Sequence, residues 1–194
     1  MDYFSHTIRI TNFSYDDIYH LENILKKGYL LSRRRISPEI REELNLSLDN
    51  SLYNGMNHIS LCDLSSNHDN YSAYNIFVKK GLSLLFNKEI NATKPRIIPN
   101  SVSNLFFIKK NNEIDDCFSD LSDEFQVKDE LSLKYLEGLL LSIRTFYDYH
   151  NEIYLLEYIN MLKNILNKYK YNIPIINLDT ENEIIIEKNK VKII

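Results

Sequence analysis

Residues 14–28, SYDDIYHLENILKKG, limit the fold more than any other stretch of this chain. Ile18, Leu21, Ile24 and Leu25 recur at helical spacing and define one apolar stripe. Ser14 stands where an N-cap is wanted, with Asp17 three residues on as an approximate capping box. Gly28 follows the last turn at the position that favours a left-handed residue. Before this helix lies His6–Thr11, HTIRIT, rich in β-branched residues and read as a strand. After it comes the apolar pair of YLLS. A strand, a bounded helix and a second extended piece imply an α+β chain.

A second constraint comes from Ser122–Ser142, SDEFQVKDELSLKYLEGLLLS. Phe125 and Val127 alternate with Glu124, Gln126 and Lys128, so the acid, the amide and the base share one strand face, expected to face solvent. A polar turn at Asp129 and Glu130 follows, and then an apolar helix is expected. An exposed strand face is ordinarily polar. A carboxylate beside an amide there is also a common way to hold a sugar hydroxyl or a developing positive charge. Asp123, Gln126 and Glu130 are the nearby competitors for any such role.

The order of these pieces resembles the ADP-ribosyltransferase superfamily. IRIT…HLENILKKGYLLS is similar to its opening, above all in the DNA-modifying toxins called DarT and in the RNA 2′-phosphotransferases. EFQVKDELSLKYLEGL is similar to their final catalytic strand, a Glu in an E-[FV]-x-V pattern. Many relatives instead carry Gln-x-Glu or Glu-x-Glu with the acid second, whereas this chain reads Glu124-Phe125-Gln126. The resemblance covers roughly 50 residues near the two ends of residues 1–145, plus a weaker middle piece.

The resemblance implies a split pair of small antiparallel sheets with flanking helices and NAD in the cleft between them. It implies transfer of ADP-ribose from NAD to a protein or nucleic-acid acceptor with release of nicotinamide. Glu124 matches the catalytic Glu, Arg9 the first-strand His or Arg, and Thr11 the Thr two residues on. Ser60 resembles the Ser that holds the nicotinamide-side ribose. Tyr71 or Tyr74 could stack on the nicotinamide, since aromatic faces favour a flat cationic ring. NAD would be a substrate, and no metal is expected. A nucleotide-binding or 2′-phosphotransferase-like member of the fold, or a non-enzymatic α+β interaction protein, remains the alternative.

The rest of the chain fits one domain over residues 1–194, with a core to about 145 and a C-terminal extension. The formal charge of −4 gives no global attraction to nucleic acid or membrane. Cys62 and Cys117 are too few for a disulfide framework or a metal site and favour a reducing, cytoplasmic setting. No signal peptide opens the chain, and no apolar run approaches the ~20 residues of a membrane span.

Arg33, Arg34 and Arg35 form the one basic cluster, a solvated loop or an anion clamp. Pro38 suits the first position of a helix. His58–Cys62 reads as a strand with His58, Ser60 and Cys62 on one face and Ile59 and Leu61 on the core. Tyr71–Lys80 reads as a helix, and Gly81–Ile90 and Leu105–Lys109 as strands. Asn111–Ser122, acidic and turn-rich, is a loop that in relatives contacts the acceptor. Ser132–Tyr171 reads as two helices broken near Tyr147–Asn151, with Leu155, Ile159, Leu162 and Leu166 as a buried stripe. His150 at the break reads as a surface residue. EIIIE–KN–KVKII reads as a terminal hairpin that could extend a sheet, occlude the cleft, or bind an antitoxin or a second copy of the chain.

Overall fold

A computed structural model describes residues 1–8, 12–32, 35–43, 58–66, 68, 72–93 and 123–194. Its elements run β1 (Phe4–Thr7), α1 (Tyr15–Lys27), β2 (Tyr29–Leu31), α2 (Pro38–Glu43), β3 (His58–Asp63), α3 (Ala73–Ile76), β4 (Ser83–Phe86) and β5 (Glu124–Lys128). There follow β6 (Glu130–Ser132), β7 (Leu136–Leu141), α4 (Ile143–Tyr147), α5 (Glu152–Lys168), β8 (Ile175–Asn177), β9 (Ile184–Glu187) and β10 (Lys190–Ile193). The fold is α+β.

Where a split pair of small sheets was expected, the described strands join one six-stranded sheet, ordered β5-β3-β1-β4-β7-β8. Two two-stranded sheets stand apart from it, β2-β6 and β9-β10. All pairs in the large sheet are antiparallel except β7 with β8.

The first helix follows its local signals. Ser14 is extended, and its hydroxyl accepts from Asp16 N–H at 3.2 Å. Gly28 takes φ 79° and its N–H donates to Ile24 O at 3.0 Å. Asp17 stands at the third helical position, and its N–H donates to Ser14 O at 3.1 Å. It is fully buried, and its carboxylate accepts from the Tyr158 hydroxyl at 3.1 Å. Ile18, Leu21 and Leu25 are buried, while Ile24 is partly buried against the same core.

That core lies on one face of the large sheet. Leu84, Phe86, Leu139 and Leu141 meet Leu21 of α1 and Leu155, Tyr158, Ile159 and Leu162 of α5. Each such aliphatic side chain contributes about 1.5–3 kcal/mol when fully buried. Phe13, Phe146 and Tyr158 pack as an aromatic cluster, with centroids 5.2–6.4 Å apart.

One expected helix is a strand. Leu136–Leu141 is β7, between β4 and β8, and Leu139, Leu140 and Leu141 are fully buried. A strand covered on both faces carries a continuous apolar run, which periodicity alone does not separate from a buried helix. Gly138 marks the close approach of the neighbouring chain, since a Cβ there would lie 3.2 Å from Pro174 O. The expected break between helices is real: α4 ends at Tyr147, and Asn151 caps α5 by accepting from Tyr154 N–H at 2.9 Å. The terminal hairpin forms where expected. Lys188 and Asn189 both take positive φ, 51° and 59°, as a two-residue primed turn requires.

Candidate functional site

The strand order places β1, β3 and β5 side by side at one edge of the large sheet. Ser60 pairs with Gln126 and Cys62 with Glu124. The face expected from alternation is therefore shared across both strands. Ser60 Oγ donates to Glu124 Oε1 at 3.0 Å. From β1, His6 Nδ1 lies 2.8 Å from Ser60 O, which only accepts, so that nitrogen carries the proton. Thr7 Oγ1 and Ser83 Oγ are 2.9 Å apart across β1 and β4.

This face is open at Ser60, as the alternation suggests, but closed at Glu124 and Gln126. Glu124 is 6% exposed and Gln126 8%, whereas Phe125 and Val127 on the other face are only partly buried. Two contacts account for it. Thr93 bridges β5 with paired backbone bonds to Gln126 of 2.9 and 2.8 Å. At the other end, Cys62 lies in a second apolar cluster with Ala73, Val78, Leu85, Leu140 and Leu178, so α3 and the turn after it roof the sheet.

Immediately before Glu124, Asp123 is fully buried. Its carboxylate accepts from Ala73 N–H at 2.8 Å, Tyr74 N–H at 3.0 Å and the Cys62 thiol at 3.4 Å, and His68 Nδ1 is 3.0 Å away. Its carbonyl accepts from Asp63 N–H at 2.7 Å. One residue thus ties the end of β3, the start of α3 and the start of β5 together, fixing the backbone on which Glu124 stands. Burial first, and then the Asp123 charge, push the Cys62 thiol far up. It is a protonated hydrogen-bond donor here and not a nucleophile.

Tyr74 packs against His68, with ring centroids 4.1 Å apart and planes within 11°, and Lys79 Nζ lies 5.1 Å from its ring centre. Its ring is therefore already engaged, and a nicotinamide would have to share or displace those contacts. Asp63 is held by Lys88 and by the Ser65 N–H and hydroxyl, at 2.9 and 2.7 Å. Burial alone would raise its carboxyl, but the bonds from Lys88 and Ser65 outweigh that and leave it below the usual range. Arg35 reaches Glu130 at 3.1 Å on the exposed surface.

Among the expected site residues, the structure brings Glu124 and Ser60 together and leaves Tyr74 stacked on His68. Arg9, Thr11 and Tyr71 lie outside the described residues, as do Arg33, Arg34, the Leu105–Lys109 strand and the Asn111–Ser122 loop. His150 is partly buried rather than free on the surface: its Nε2 is 2.6 Å from Asn12 O, and its ring stacks on Tyr154. Asp123 and His68 were not legible as a pair. The one sequence signal was an Asp next to the candidate Glu, with Cys62 and His68 six positions apart on an earlier segment.

No protein-family model matches this chain, and no curated protein matches it. Among the described residues, no helix is long and apolar enough to cross a membrane.

Proposed function

We propose that this chain is an NAD-dependent ADP-ribosyltransferase with an ADP-ribosyltransferase-like fold, Glu124 being its catalytic carboxylate. The observation that carries this reading is the Ser60–Glu124 hydrogen bond of 3.0 Å across adjacent strands. It supports a hydroxyl and a carboxylate acting on one ribose. The β5 backbone beneath Glu124 is anchored by Asp123, so the carboxylate is preorganised.

In the reaction, the bond from ribose C1′ to the nicotinamide nitrogen breaks and its electron pair leaves with neutral nicotinamide. Positive charge develops at C1′ and the ring oxygen. Glu124 accepts from the ribose 2′-hydroxyl and places negative charge beside that cation, the kind of preorganised electrostatic term that dominates many enzymes. Ser60 orients both Glu124 and the ribose. The acceptor nucleophile then bonds to C1′, and its proton passes to Glu124 or to water. Arg9 and Thr11 keep the phosphate- and ribose-binding roles that the sequence resemblance implies. The nicotinamide-stacking role falls to Tyr71 or to a Tyr74 released from His68.

Incubation with NAD and candidate acceptors, read by mass spectrometry, tests this. Nicotinamide release and an ADP-ribose adduct are expected. Glu124→Gln should still bind NAD and lose about 10²–10³-fold in turnover. Saturating NAD at 100 times Kd should stabilise the fold by about 2.7 kcal/mol. An unmoved melting curve, or full turnover in Glu124→Gln, overturns the assignment.

A further inference from the structure

We propose that Cys62, His68 and Asp123 form a structural binding site for a divalent transition metal, zinc being the best match. Their ligand atoms all lie within 4.8 Å of one another. They come from the end of β3, the segment after it, and the residue before β5.

The donor set is the first argument. A thiolate and an imidazole favour zinc over magnesium or calcium, and a carboxylate completes three of four tetrahedral positions. Spacing is the second. Zinc bonds of about 2.0–2.3 Å at tetrahedral angles set ligand atoms roughly 3.3–3.6 Å apart. Cys62 Sγ and His68 Nδ1 stand 3.4 and 3.0 Å from Asp123 Oδ2. The three ligand atoms span at most 4.8 Å, so the Cys62 and His68 side chains close toward each other as the ion enters.

The third argument is the environment of the imidazole. His68 Nδ1 faces the Asp123 carboxylate, and Nε2 faces Leu64 O at 3.4 Å. Both ring nitrogens thus face acceptors, and a neutral ring carries one proton for the two of them. With Nε2–H donating to Leu64 O, the Nδ1 lone pair is directed toward the Asp123 carboxylate and open to a cation shared between them, whereas a doubly protonated ring pairs with Asp123 directly. Donation of the second ring N–H to a backbone carbonyl is also how metal-bound histidines are commonly held.

Two further features fit. The Asp123 oxygens accept from Ala73 and Tyr74 N–H, which fixes the carboxylate, and Tyr74 fixes the ring plane of His68. Ser5 pairs with Cys62 across β1 and β3, and its buried hydroxyl faces the Cys62 sulfur. A thiolate there is a stronger acceptor than the thiol. On binding, sulfur and the metal form a bond, the thiol proton leaves to water, and no electron is transferred.

The site would brace β3, α3 and β5 next to Glu124, yet it stands independently of the transferase reading. The test strips the full chain with a chelator and titrates zinc in competition with a chromophoric chelator, then repeats the titration with cobalt(II). One zinc per chain is expected. So is a thiolate-to-cobalt charge-transfer band that disappears in Cys62→Ser. His68→Gln should weaken zinc by about hundredfold, the upper end of what even an outer-shell partner costs. Circular dichroism checks that both variants keep the fold. Absence of bound zinc, wild-type affinity in either folded variant, or a wild-type cobalt spectrum without the thiolate band overturns the proposal. Each of these outcomes is separate from NAD turnover, which reports on Glu124 alone.

Discussion

On one face of the large sheet, the buried carboxylate of Asp17 sits among helices α1 and α5 and accepts from the Tyr158 hydroxyl at 3.1 Å. On the other, Asp123 is equally buried but gathers two backbone amides, a thiol and an imidazole. The first carboxylate is embedded in an aromatic and aliphatic layer that includes Phe13, Phe146, Leu155 and Leu162. The second organises polar groups beside a small apolar cluster. The contrast separates two tasks. One face supplies the bulk of the burial that holds the chain folded. The other spends its buried polar groups on positioning the strand that carries Glu124.

The sharpest way to break this division is Phe146→Ala. Phe146 is fully buried and meets Phe13, Tyr158, Tyr154 and His150. Its truncation should cost about 3–5 kcal/mol in denaturant unfolding. A loss under about 1 kcal/mol would show that the helical face is not where stability resides.

Next in size is Asp123→Asn. The amide keeps one acceptor oxygen but turns an NH₂ toward groups that need an acceptor, so about 2–3 kcal/mol should be lost. If the positioning argument holds, turnover also falls in the folded variant. Unchanged stability with unchanged turnover would remove Asp123 from both tasks.

The smallest effect compares the faces by pH. Burial, followed by the Asp17 charge, raises the Tyr158 phenol well above its usual range. A group whose folded pKa is raised contributes stability that is whole below its unfolded value and is lost as pH climbs beyond it. For Tyr158 that loss begins near pH 10, and for the similarly raised Cys62 thiol near about 8.5. Tyr158→Phe should cost about 1.5 kcal/mol at neutral pH and flatten the fall in stability above pH ~10. In the chelator-stripped chain, Cys62→Ala should flatten the earlier part only. Unfolding midpoints measured across this range separate the two, and identical alkaline limbs in both variants would mean that neither face sets them.

The elements legible in the sequence are those whose cause lies within a few residues. Ser14 and Gly28 bound α1 because a cap and a left-handed residue act on their own turn. Lys188 and Asn189 turn the last hairpin for the same reason. Alternation correctly sorted Glu124, Gln126, Ser60 and Cys62 onto one face, since side-chain direction along a strand is local. Which side of the strand is wet, however, is set by whatever else packs there, and α3 and Thr93 came from elsewhere in the chain. Leu136–Leu141 became a strand because β4 and β8 flank it, though its own leucines suit a helix equally well. The bonds to the Asp123 side chain reach residues 49 to 61 positions away. Sequence therefore determined periods, caps and turns, whose energies are local. Tertiary structure decided burial and the meeting of Asp123 with Cys62 and His68, because desolvation and hydrogen-bond partners depend on neighbours that only the folded chain brings together.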